Sequence, residues 1–244
     1  TDITREDIVD KIRKRCNTDN VDLIIGGPPC QSFSSAGRAR DEHGMKNDPR
    51  NYLFESYVKI LNAIRPKFFV FENVTGLLTA RLKGKRHIFT VLGELGKEYK
   101  VYNGNPSDMV FNTVNYGVPQ IRKRVIILGV RKDIDIEPAD LYKGIVKTNW
   151  DSDMPESERK GLLPPITVRD AIGDLPSVPN GGGSIIMKFK PKTMNSFVQK
   201  IRSKDDDTLL YHVTRKNNDK DKERYKVMAQ NHWTFLEMLE KRPD

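Results

Sequence analysis

Four consecutive apolar residues, Phe68-Phe69-Val70-Phe71, bounded by Pro66 on one side and Glu72-Asn73-Val74 on the other, constrain the fold of this chain more than any other feature. A run this short and this uniformly apolar predicts a parallel strand buried on both faces. A second such run, Val21 with Leu23-Ile24-Ile25, lies upstream. Between the two, Leu53, Phe54, Tyr57, Val58, Leu61 and Ile64 recur at helical spacing within Asn51–Ile64, and Pro66 ends the helix. Strand, helix, strand predicts a right-handed βαβ unit and an α/β fold. Helical spacing also links Ile8, Ile12 and Cys16, with Thr4 as a candidate N-cap. A helix over Thr4–Cys16 is therefore expected, with Cys16 in the core.

After the first strand the chain reads Gly26-Gly27-Pro28-Pro29-Cys30-Gln31-Ser32-Phe33-Ser34-Ser35-Ala36-Gly37-Arg38, and two glycines and two prolines stop regular structure. The prolines fix φ, so Cys30 is held on a rigid turn just beyond a strand end, as a nucleophile requires. Its polar flanks distinguish it from a buried structural thiol. The stretch from Arg38 to Arg50, rich in charge and glycine, reads as a mobile loop beside it. Cys30 and Glu72 both follow carboxyl ends of neighbouring parallel strands, the edge where open α/β sheets bind ligands.

Further along, Gly84–Lys97 has the helical pattern Ile88, Val91, Leu92, Leu95, and Val101–Asn115 contains strand-like pieces. Gln120-Ile121-Arg122-Lys123-Arg124 then leads into Val125–Val130, the clearest strand in the chain. Its short link to the preceding strand pieces requires antiparallel pairing, which brings Gln120, Arg122 and Arg124 to the edge of Cys30 and Glu72. Two guanidiniums aimed at a thiol and a carboxylate suit recognition of a phosphate or a base.

Composition narrows the partners. Among 244 residues, 42 Lys+Arg against 33 Asp+Glu give a net charge of +9, which favours a polyanion. Two cysteines cannot build a disulfide framework, which points to a reducing compartment. The four histidines, His43, His87, His212 and His232, lack metal-ligand spacing, so no metal is expected. No apolar run approaches the ~18 residues of a membrane span, and no membrane association is expected.

In this order and spacing, Pro28-Pro29-Cys30-Gln31, Glu72-Asn73-Val74 and Gln120-x-Arg122-x-Arg124, with Phe33-Ser34 and the Tyr116-Gly117-Val118-Pro119 lead-in, resemble the cytosine-5 DNA methyltransferases of the bacterial modification type. Asp2-Ile3 is similar to the end of that family's third motif, and Val168–Pro176 to the start of its DNA-facing domain. The resemblance implies a Rossmann-like methyltransferase sheet, mostly parallel with an antiparallel last strand, over residues 1–150. A connecting segment over 151–187 and the beginning of a target-recognition domain over 188–244 would follow.

By the same resemblance Cys30 is the nucleophile, Glu72 the proton-sharing acid, and Asn73 an orienting group. Arg124 contacts the base and Arg122 a nearby phosphate or the loop. Asp2, Ile3 and Pro29 would border S-adenosylmethionine, the implied cofactor. Double-stranded DNA is the implied partner, met by Gln31, Ser34, Arg38 and Gln120 and by the basic, aromatic-interleaved region that includes Lys188, Lys190 and Arg215. The family's glycine-rich cofactor loop and final motifs have no counterpart here. Gly181-Gly182-Gly183 has no strand leading into it and reads as a flexible linker. The chain is accordingly expected to be an internal portion of an enzyme, or one chain of a split enzyme with a complementary chain as partner. Transfer RNA as substrate, or a non-catalytic DNA-binding role, are the competing readings. Lys132–Gly161 shows no periodicity and reads as a connection, and Glu223–Lys241 as one helix.

Overall fold

The computed structural model of the protein describes residues 2–16, 20–29, 53–82, 85–189, 195–202 and 207–242. Cys30, Gln31, Ser34, Arg38 and Lys190 lie outside the described residues, as does the expected loop from Arg38 to Arg50. The chain divides into two compact units, Thr1–Ile166 and Thr167–Asp244.

In chain order the first unit runs α1 (Ile8–Cys16), β1 (Leu23–Gly26), α2 (Leu53–Ile64), β2 (Phe68–Val74), α3 (Gly76–Thr79), a small hairpin of β3 (Arg81–Leu82) and β4 (Lys85–Arg86), α4 (His87–Leu95), β5 (Tyr99–Val101), β6 (Val110–Asn112), β7 (Lys123–Arg131) and α5 (Pro138–Lys143). The sheet is mixed. β1 pairs parallel with β2, from Leu23 opposite Phe68 to Gly26 opposite Phe71. β7 runs antiparallel along the other side of β2, from Phe68 opposite Val130 to Val74 opposite Arg124. The strand, helix, strand unit and the reversal of the last long strand are as the sequence predicts.

β5 and β6 share the far edge of β7 and leave a gap between them. Tyr142 of α5 fills it: its hydroxyl accepts from the Leu128 N–H at 3.0 Å and donates to the Ile126 carbonyl at 2.8 Å. Two ladder groups are thereby satisfied without a strand. Burial pushes the Tyr142 phenol up to about 12.

The core lies on one face of the sheet, beneath α2 and α4. Tyr57 meets Phe69 and Phe71 edge-on, with ring centroids 6.3 and 5.3 Å apart, and Phe69 meets Tyr99 at 5.1 Å. This one-sided core corrects the expectation that β2 is buried on both faces. Phe69, Phe71 and Asn73 are buried, whereas Phe68, Val70, Glu72 and Val74 are only half covered. β1 departs further, with Leu23 45% and Ile25 69% exposed, because both lie opposite Phe68 and Val70 on the uncovered face, in what is among the described residues the edge strand. Cys16 is exposed rather than in the core. Ile8 packs with Ile60 and Ile64, and of α1 only Ile8 is buried, so among the described residues the cluster does not extend to the last turn.

The segment after Lys132 is folded, contrary to its reading as a connection. Side-chain and backbone hydrogen bonds hold it where periodicity gives no sign: Asn115 donates to the Asn149 carbonyl at 3.2 Å, Trp150 N–H donates to Leu163 at 3.0 Å, and Arg159 stacks on the Trp150 ring.

The second unit contains α6 (Val168–Ile172), β8 (Gly183–Lys188), α7 (Ser196–Ile201), β9 (Thr208–Val213), α8 (Asp219–Asn231) and α9 (Phe235–Lys241). β8 and β9 form an antiparallel hairpin. Gly181-Gly182-Gly183 is a built turn rather than a flexible linker. The Thr214 hydroxyl accepts from the Gly181 and Gly182 N–H groups at 2.9 and 3.2 Å, and Gly181 and Gly183 take φ of +75° and +96°. The helix expected over Glu223–Lys241 breaks at His232, with φ +55°. Thr234 then opens α9 through a capping box with Glu237.

Candidate active site

The register of β2 against its neighbours assembles the site. β1 ends at Gly26 beside Phe71, so Gly27-Pro28-Pro29 leaves the sheet next to Glu72 and Asn73. On the other side, Glu72 lies opposite Ile126 and Val74 opposite Arg124, which makes Glu72 and Arg124 a diagonal pair on one face. Arg124 Nε reaches Glu72 Oε1 at 2.8 Å. Arg124 is 19% exposed and Glu72 42% exposed, so the pair is open on the carboxylate side. Arg124 Nη1 also donates to the Lys123 carbonyl at 2.8 Å, which fixes the fork.

Asn73 points into the opposite face and is buried. Its Nδ2 donates to the Pro28 carbonyl at 3.1 Å, and its Oδ1 accepts from Val74 N–H at 2.9 Å. Neighbouring residues at the end of one strand therefore do separate things: Glu72 presents a carboxylate, and Asn73 ties down Pro28, two residues before Cys30 in the chain.

Arg122 and Gln120 lie on the approach to β7 and are exposed. Backbone bonds shape that approach: Arg122 N–H donates to Asn112 Oδ1 at 3.2 Å, and Thr113 N–H donates to the Arg122 carbonyl at 3.1 Å. Asn112, at the end of β6, also donates to Asp151 Oδ2 at 3.3 Å. It is a shaping residue the sequence reading missed, and its one signal is an amide among the apolar residues of a strand.

Of the residues expected to border a cofactor, Asp2 accepts from the Thr4 N–H and hydroxyl at 2.9 and 2.8 Å, and these bonds hold its carboxyl below the usual range. Ile3 packs against the cluster of Ile8, Ile60 and Ile64, and Pro29 is exposed. A Cβ on Gly26 would meet the Tyr57 ring at 2.5 Å, and one on Gly182 would meet Pro179 at 2.7 Å, so these glycines make room for the chain's own side chains.

In the second unit, Lys188 Nζ binds both Asp207 oxygens at 2.7 and 2.9 Å, which lowers the Asp207 carboxyl. Arg215 donates twice to Asn217 Oδ1. Both basic side chains remain exposed. Among the described residues no His/Cys/Asp/Glu group could hold a metal ion, and no helix is long and apolar enough to cross a membrane.

A mixed α/β sheet of this topology is that of the S-adenosylmethionine-dependent methyltransferases. The fold is shared with the crystal structure of a prophage-encoded E. coli protein described as a candidate DNA modification methyltransferase: TM-score 0.54 and 23% identity, covering 95% of this chain and 55% of that one. More particularly, the chain belongs to the C-5 cytosine-specific DNA methylase family, which it matches over residues 2–243. It is 34% identical over 222 residues to the Type II methyltransferase M.Bpa9945I of Bacillus paralicheniformis, covering 87% of this chain and 46% of that protein. To the Type II methyltransferase M.DdeI of Desulfomicrobium norvegicum it is 32% identical over 188 residues, covering 77% and 40%. The chain thus spans less than half the length of these relatives.

Proposed function

We propose that this chain carries the base-activating half of a cytosine-5 methyltransferase acting on double-stranded DNA, with Cys30 as nucleophile. The observation that carries the reading is the Glu72–Arg124 pair at the end of β2, beside a turn that Asn73 holds by its Pro28 carbonyl. Carbon 5 of cytosine is a weak nucleophile. Addition of the Cys30 thiolate to carbon 6 forms a carbon–sulfur bond and pushes the C5–C6 π pair towards N3, leaving carbon 5 enamine-like. A proton shared by the Glu72 carboxyl at N3 stabilises that charge.

Arg124 orients the carboxyl through Nε and has donors left for the carbonyl oxygen of the base. Arg122 and Gln120, on the exposed approach to β7, suit contacts with the DNA backbone. After carbon 5 is methylated and loses its proton, the carbon–sulfur bond breaks and the thiolate leaves. The target carbon is unreachable inside a duplex, so the base must be flipped out. S-adenosylmethionine supplies the methyl group. Asp2, Ile3 and Pro29 would border it, and the other residues named here act on the base and the DNA. Lys188, Lys190 and Arg215 suit phosphate contacts, and binding through them weakens steeply with salt.

A duplex with 5-fluorocytosine at the target position tests the reading in the full-length protein with the methyl donor present. The wild type is expected to be trapped covalently. Cys30→Ala is expected to escape trapping while binding DNA within about tenfold of wild type. Glu72→Gln should slow single-turnover methylation by roughly 10². Trapping of Cys30→Ala would overturn the nucleophile assignment, and a loss of under about fivefold in Glu72→Gln would overturn the acid assignment.

A further inference from the structure

We infer that Gly27 is a positioning residue for the Glu72 carboxylate, a role that rests on the function proposed for Glu72. A Cβ built on Gly27 would lie 2.6 Å from Glu72 Oε2, and otherwise only 3.5 Å from the Glu72 carbonyl oxygen and 3.7 Å from its Cβ. The Glu72 carboxylate is therefore seated between two walls. Arg124 Nε holds Oε1 at 2.8 Å, and the bare α-carbon of Gly27 leaves the space that Oε2 takes.

The glycine is not needed for its backbone. Gly27 has no positive φ, and it precedes Pro28, which favours an extended conformation that alanine adopts readily. Its neighbour differs in kind. At Gly26 an added Cβ would run into the Tyr57 ring at 2.5 Å, and that ring is anchored by its hydroxyl bond to the Val70 carbonyl at 3.0 Å, so there the fold itself resists. At Gly27 the obstructing atom is Oε2, at the far end of a flexible side chain whose other oxygen Arg124 holds, and a methyl group displaces the carboxylate while the backbone stays. The absence of a side chain at position 27 thus sets where the acid sits relative to the turn into Cys30.

A double-mutant cycle in the full-length protein separates this role from a structural one. Gly27→Ala is expected to melt within about 2 °C of wild type yet to slow capture of the 5-fluorocytosine duplex at least tenfold. In a Glu72→Ala background, where no carboxylate remains to displace, adding Gly27→Ala should change the capture rate by less than twofold. Equal slowing in both backgrounds, unchanged capture in Gly27→Ala alone, or loss of the fold in Gly27→Ala would each overturn the inference. If Glu72→Ala alone leaves capture within fivefold of wild type, the Glu72 assignment fails instead, so the two failures are distinguishable.

Discussion

Replacing Asn73 by alanine tests whether the turn into Cys30 is held by one buried amide. The substitution removes the 3.1 Å bond to the Pro28 carbonyl and the 2.9 Å bond from Val74 N–H. Pro28 is buried, so its carbonyl loses its donor without access to water, at a cost of about 1–2 kcal/mol. Val74 is only half covered, and its N–H costs about 1 kcal/mol. The sum, roughly 2–3 kcal/mol, corresponds to a fall in melting temperature of roughly 5–10 °C for a unit of this size.

Asn73→Asp sharpens the test. The new carboxyl keeps the acceptor for Val74 but, when ionised, sets an oxygen against the Pro28 carbonyl; when protonated it can donate there. Its folded pKa is therefore raised above the unfolded value of about 3.9. The penalty is small below that value and grows as pH rises through the folded pKa. Thermal melts at pH 4.5 and pH 7 should show the variant destabilised more at pH 7, with capture of a 5-fluorocytosine duplex slowed in parallel. A fall of under 2 °C for Asn73→Ala with unchanged capture would refute the idea that Asn73 holds the turn.

Two further outcomes follow from other parts of the molecule. In the second unit, Arg202 grips Asp174 through two bonds of 2.7 and 2.9 Å, and the Asp174 side chain is only 2% exposed. Arg202→Ala strands that carboxylate and should cost about 3 kcal/mol, read as faster hydrogen exchange across the second unit; a cost below 1 kcal/mol would show the pair to be dispensable. In the first unit, burial raises the Tyr99 and Tyr142 phenols to about 12. Both favour the neutral form, so their contribution is complete below the unfolded pKa of about 10 and is lost as pH rises from 10 to 12. An alkaline titration followed by circular dichroism should show the first unit weakening in that window, and Tyr142→Phe should reduce the dependence.

The sequence by itself determined the order of strands and helix around the site and the edge at which the site residues meet. The apolar runs at Leu23 and Phe68 with a helical pattern between them leave little choice but a parallel pair, and the short link before Val125 forces the reversal that carries Arg124 back to Glu72. Those signals are local, because periodicity and link length are properties of neighbouring residues. Burial depended on what lies across the sheet. The same apolar pattern gives a buried Phe71 and a 69% exposed Ile25, because Phe71 faces the core while Ile25 lies opposite Val70 on the uncovered face, at what is among the described residues the edge of the sheet. Cys16 keeps its place in the helical pattern yet lies beyond the reach of the cluster around Ile60.

The folded segment after Lys132, the turn at Gly181–Gly183 and the break at His232 were likewise illegible, since each is held by specific hydrogen bonds between residues far apart in the chain or by a single left-handed residue. At the site itself, the sequence named Glu72, Asn73 and Arg124. Only the tertiary structure assigned Asn73 to the Pro28 carbonyl, Arg124 to Glu72 Oε1 and the empty side of Gly27 to Glu72 Oε2, because contacts such as those of 2.8 and 3.1 Å arise from register and packing and leave no trace in composition.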